Sequence, residues 1–271
     1  PFAVAMAIFL LGLVRAIESY PSSSPATQTL LGLGFGLAIG SRILAGFGVV
    51  DAVIVFTFLT AAQARTWGLR AASSELGWFL LTLLPSAVIA LVLMALLWPW
   101  SFADPLNPLR AIETFSHFFE KPWHELFDGA LIAPPDMPRS YVPVLFGLKL
   151  PVIFVALATA GAVGALLATL RAGLELRRRA VLLCIALAGV LPVAIAVLAR
   201  PAMYNGIRHF MFVLPPLAVA GGLAAAVIAA HLGRMGKAIA AVVLFAGIAL
   251  PVIGMARLHP YEYVYFNASA G

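Results

Sequence analysis

Charge is what this sequence has least of. Only 10% of its 271 residues are Asp, Glu, Lys or Arg, against about 25% in an ordinary soluble domain, and 63% are apolar. So few charges cannot cover a water-soluble globule. A single cysteine, Cys184, excludes an internal disulfide framework and a thiolate metal cluster. The sequence also lacks a basic leader followed by a small-residue cleavage site, so its apolar opening is not a signal peptide. HExxH, a P-loop and a serine–histidine–acid set are missing as well. The net charge of +6 is scattered over short loops and builds no basic face, which excludes nucleic acid as a partner.

What remains is a series of continuous apolar runs rich in Leu, Ala, Val and Gly. A helix rises 1.5 Å per residue, so about twenty such residues match a hydrocarbon core about 30 Å thick. A transmembrane barrel would instead need alternating segments of about ten residues. The sequence therefore predicts an all-α polytopic membrane protein. Apolar windows near 29–46, 48–63, 78–98, 150–170, 180–199, 210–230 and 238–256 give seven spans. Pro1 to Val14 reads as a partial one, the remnant of a helix. Residues 29–63 as one helix would run about 52 Å, so a hairpin is expected with its turn at Gly46-Phe47-Gly48. The whole of 1–271 reads as a single transmembrane domain and as a fragment, with cut ends.

Alternating sides groups 15–28, 64–77, 171–179 and 231–237. These short loops hold nine of the seventeen basic residues and are cytoplasmic by the positive-inside rule. The other side receives the outer segment 99–149, the connection 200–209 and the outer tail 257–271, with seven of the eleven acids. Gly36 and Gly40 form a GxxxG pair suited to close helix packing, and no dinucleotide loop is present.

Four places hold chemistry. Arg42 and Asp51 flank the expected turn and either pair, snorkel, or present Arg42 to a phosphate. In 99–149, an interfacial stretch marked by Trp98, Trp100 and Trp123, residues Glu113, His117, Glu120 and His124 share a helical face. That face reads as solvated, with direct acceptor or donor contact and then metal binding as the alternatives. Arg208 and His209, with Tyr204 nearby, sit at the mouth of span 210–230, where a helix N-terminus favours an anion. In the tail, His259, Tyr261, Tyr263 and Tyr265 fit either one face of a strand or an aromatic belt.

Several segments together resemble a known family: GLAIGSRILAGF (36–47), FDGALIAPPDMPRSYVPVLFGLKLP (127–151), NGIRHFMFVLPPLAVAGG (205–222) and HPYEYVYFNASAG (259–271). They are similar to bacterial GT-C membrane glycosyltransferases of the family 39 type, related to protein O-mannosyltransferases. The resemblance implies a GT-C-like helix bundle in the inner membrane, working at the periplasmic face. It implies transfer of a hexose such as mannose from a polyprenyl-phosphate sugar donor to a lipid, glycan or protein acceptor, with inversion and without a metal or other cofactor. Arg208 would hold the donor phosphate, assisted by Arg42, with His209, Tyr204, His259 and Tyr261 as donor or acceptor contacts. The family's catalytic acid, in its first outer loop, is expected upstream of Pro1, and neither Asp104 nor Asp136 is promoted into that role. The tail is expected to lead into a further outer segment. Two rivals remain open: a transporter or flippase of lipid-linked saccharides, and a non-catalytic membrane scaffold.

Overall fold

A computed structural model describes residues 1–116 and 124–270. The order is α1 (Phe2–Ser19), α2 (Pro25–Ser41), α3 (Gly46–Trp67), α4 (Leu69–Thr82), α5 (Leu84–Leu97), α6 (Trp100–Ala103), α7 (Asn107–Ser116), strands β1 (Glu125–Phe127) and β2 (Ala130–Ile132), then α8 (Tyr141–Lys149), α9 (Val152–Thr169), α10 (Leu176–Ala199), α11 (Leu214–Ala230) and α12 (Arg234–Arg257). Among the described residues six helical segments are long and apolar enough to cross a membrane, or seven if the bent pair α4 and α5 is one span. That is the pattern of a multi-pass membrane protein. The chain divides into two compact units, Pro1–Phe118 with Ala165–Ala188, and Phe119–Gly164 with Gly189–Gly271.

The first unit is held by close backbone approach around an aromatic centre. The opening stretch is longer than its sequence suggested, because α1 continues to Ser19 and buries Phe2, Met6, Phe9, Leu13 and Ile17 at helical spacing. Ser24 caps α2, its hydroxyl accepting from the Thr27 N–H at 3.2 Å, with Pro25 in the first turn. One side of α2 meets α1 at Gly34, where a Cβ would lie 2.3 Å from the Phe9 nitrogen. Gly32, Gly36 and Gly40, four residues apart, meet Ile89, Leu93 and Leu97, also four apart, on α5. Both predicted glycines therefore serve packing. Beyond them, Tyr20, Phe56 and Phe79 stack with centroids 4.9–6.0 Å apart, beside Ala180 and Cys184 of α10.

Three local expectations change. The turn after α2 falls at Arg42, whose backbone is extended, and Gly46 and Gly48 belong to α3. A Cβ on Gly48 would meet the Phe9 ring at 2.7 Å, so packing against α1 accounts for this glycine. Asp51 does not flank a turn: it is 2% exposed inside α3, and the Cys184 thiol donates to its Oδ2 at 3.6 Å. The span expected at 78–98 breaks at Leu83 into α4 and α5, bent by 46°. Pro85 has no N–H to give the preceding turn. The nearby Thr82 carbonyl instead accepts from Gln28 Nε2 at 2.8 Å and from the Ser23 hydroxyl at 3.4 Å. Beside the bend, Phe9, Leu13, Phe35, Phe56, Leu83 and Ser86 help to bound an apolar cavity of about 400 Å³.

In the second unit, α9 and α11 cross where Gly161 lies against the Ala220 carbonyl, so closely that a Cβ there would be 1.9 Å from its oxygen. Gly247 of α12 meets Ile153 of α9, yet α12 buries none of its 24 residues. Such a helix requires an apolar surrounding. β1 and β2 form an antiparallel hairpin, Phe127 opposite Ala130, turned by Asp128 and Gly129 at positive φ.

Candidate anion-binding site

In the second unit the connection after α10 folds back on the approach to α8. Arg200 takes a left-handed backbone, φ 50°, unusual for a residue with a long side chain. Its Nη2 donates to the carbonyls of Met137, at 3.3 Å, and Asp136, at 3.4 Å. Met203 N–H donates to the Pro134 carbonyl at 3.2 Å. Asn205 and Gly206 then both adopt positive φ and start a 3-10 segment, Gly206–Val213, that leads into α11. Glycine suits position 206 twice over: its φ is +65°, and a Cβ would come within 3.3 Å of the Tyr263 hydroxyl.

Tyr141, at the start of α8, fixes this turn. It is 3% exposed, and its hydroxyl oxygen accepts the Gly206 N–H at 3.0 Å. Burial pushes its pKa up, reinforced by the charge of Glu125, so the group stays a neutral phenol. Farther along, Phe146 meets Phe210 edge-on at 6.2 Å. The pairings 141 with 206 and 146 with 210 set α8 and the 3-10 segment side by side in the same direction, their N-terminal ends together.

Arg208 lies two residues beyond the pinned turn. It is exposed, and its guanidinium covers the Tyr204 ring 5.3 Å from the centroid. The rings of Tyr204 and His209 stand 4.7 Å apart. Three of the expected contacts thus form one cluster. The tail is held by Asn267, whose Nδ2 donates to the carbonyls of Gly147 and Leu150, both at 2.6 Å, while its N–H donates to Leu148. Lys149 donates to the Tyr263 carbonyl at 3.0 Å and lies 3.6 Å from the centroid of Phe266. Burial lowers the pKa of this lysine.

The other expected site residues lie elsewhere. Arg42 is exposed at the end of α2 in the first unit. His259 Nδ1 pairs with Glu262 Oε1 at 2.5 Å, both exposed, and Tyr261 is 70% exposed. The tail forms a 3-10 turn at Glu262–Val264, so the strand reading of its tyrosines does not hold. Of the acidic and histidine face on 99–149, His117 and Glu120 lie outside the described residues, Glu113 is on α7 and His124 is exposed. Among the described residues no three His, Cys, Asp or Glu side chains gather as a metal site. Asp104 is already committed: its carboxylate accepts from Leu106 N–H and Arg110, both at 2.8 Å, which holds its pKa below the usual range.

Sequence reasoning missed Tyr141, Lys149 and Asn267. Tyr141 stands inside a segment that carries the family resemblance, but nothing local marks it as the partner of an amide 65 residues away. No family model, curated protein or solved structure matches the chain.

Proposed function

We propose that this chain is the transmembrane part of a GT-C-type glycosyltransferase. It moves a glycosyl group from a polyprenyl-phosphate donor to a lipid, glycan or protein hydroxyl at the periplasmic face of the inner membrane. The resemblance supplies the reaction class. The observation that carries the reading is Arg208, exposed on a turn clamped by Tyr141 and Gly206, at the head of an apolar helix. A guanidinium so placed suits the oxygens of a lipid-borne phosphate. During transfer the acceptor oxygen bonds to the anomeric carbon and the bond from that carbon to the phosphate oxygen breaks. The bond's electron pair goes to the phosphate, and Arg208 offsets the charge that gathers there. The acceptor's proton goes to a carboxylate base, a role assigned to none of the residues described above.

The test is sugar release from polyprenyl-phosphate sugars by the full-length protein. Arg208→Ala should lower turnover by about 100-fold or more with a small change in melting temperature, and Arg208→Lys should recover part of it. Loss of stability with unchanged turnover would sink the reading and leave a scaffold.

A second reading, transport of lipid-linked saccharides, draws support from the break at Leu83 and from the buried carboxyl group of Asp51 inside α3. It predicts that vesicles holding the protein move the saccharide across the bilayer without cleaving it.

A further inference from the structure

Arg139 is a further exposed cation of the second unit. It lies between two anchor points of one loop: Met137, whose carbonyl Arg200 holds, and Tyr141, whose hydroxyl takes the Gly206 amide. Because α8 and the 3-10 segment run in the same direction, Arg139, two residues before α8, and Arg208, in the first turn of its neighbour, belong to the same end of this pair. Both are exposed. Among the described residues neither forms an ion pair with a carboxylate, and Arg139 makes no hydrogen bond. The acids on the adjoining chain are Glu125 and Asp128 of the hairpin and the exposed Asp136. Arg200, by contrast, spends its Nη2 on two backbone carbonyls and holds the loop.

We propose that Arg139 and Arg208 form a two-cation site for one phosphate, in which Arg208 meets the charge of the bound donor and Arg139 the charge that appears when the sugar leaves. This rests on the donor reading above. A polyprenyl-phosphate sugar is a phosphodiester with one negative charge. After the bond from the anomeric carbon to oxygen breaks, the departing lipid carries a phosphate monoester, with about −1.5 to −2 charges at neutral pH. A cation that serves the second charge holds the transition state and the leaving group more strongly than the donor, which is the condition for acceleration. Arg200 and Tyr141 are positioning residues: one fixes the loop that bears Arg139, the other the turn that bears Arg208.

The experiment compares two probes on the full-length protein in lipid nanodiscs: a polyprenyl phosphate, which is the monoester, and its methyl ester, a diester with a single charge. Arg208→Ala should weaken both by about tenfold or more, the usual loss for a charge-assisted hydrogen bond. Arg139→Gln should weaken the monoester by about tenfold but the diester by about twofold or less, and Arg139→Lys should restore most of the difference. Arg110→Ala, which removes a guanidinium already paired with Asp104, should change neither. If Arg139→Gln binds both probes like the native protein, or loses both equally, the two-cation site is wrong while the donor reading stands. If the native protein binds neither probe, both fall.

Discussion

The two units share close helix crossings, Gly34 against Phe9 in the first and Gly161 against Ala220 in the second, and differ in what surrounds them. In the first, backbones touch: Gly34 admits α1, and Gly32, Gly36 and Gly40 admit α5, around the buried stack of Tyr20, Phe56 and Phe79. In the second, the region around Arg208 is tied by side chains that hydrogen-bond to main chain across long stretches of sequence: Arg200, Tyr141, Lys149 and Asn267. Packing of the first kind tolerates little change of volume. Ties of the second kind fix the direction of a loop while leaving its surface open, which is what a site for a charged ligand requires.

Five substitutions test that contrast. The largest effect belongs to Phe79→Ala, which empties a ring 0% exposed between Tyr20 and Phe56 and should cost about 3–5 kcal/mol in thermal or denaturant unfolding. Next, Gly34→Ala puts a methyl group 2.3 Å from the Phe9 nitrogen and should cost about 1–3 kcal/mol. Gly222→Ala in α11 meets nothing within 4 Å and should be neutral or slightly stabilising. Equal effects at the two glycines would remove close approach as the glue of the first unit. Third, Asn267→Ala loses three side-chain hydrogen bonds at the tail, two donated to the Gly147 and Leu150 carbonyls and one accepted from the Ser269 N–H. It should cost about 1–2 kcal/mol and make the 259–267 amides exchange hydrogen faster, with α1 to α5 unchanged.

The smallest effect concerns the exposed pair of His259 and Glu262. The hydrogen bond from His259 holds the Glu262 pKa below its ordinary value. A carboxylate depressed in the folded state contributes above its unfolded pKa, and that contribution disappears as pH falls through the folded value. Glu262→Gln should therefore leave the melting temperature unchanged within error at neutral pH, with any small difference from the native protein vanishing in acid. A large shift would show that the tail depends on this pair more than on Asn267.

Much of the helical plan was legible because apolar runs state their own length: α9, α10, α11 and α12 fall close to the windows drawn from hydropathy. The errors cluster at glycine and proline. Gly46-Phe47-Gly48 looked like a turn, yet glycine serves close approach as readily as a turn, and only the position of Phe9 decides which. The break at Leu83 had a local signal in Pro85 that a window average hides. The Asp128-Gly129 hairpin carries an equally local signal, an Asp-Gly pair between two short strands. At the site, Tyr204, Arg208 and His209 are near neighbours in sequence and were found. Tyr141, Lys149 and Asn267 act 65 to 120 residues from their partners, beyond the reach of any local pattern.

Cys184 has a practical consequence. It is the only thiol in the chain and is 1% exposed between Asp51 and the aromatic stack, so a water-borne maleimide should leave the native protein unlabelled. A cysteine placed at an exposed position would then be the sole reactive sulfur. Two such positions, Arg178 and Arg139, would report in intact cells which side of the membrane each occupies. Residues 1–271 thus offer a silent background for mapping their own orientation.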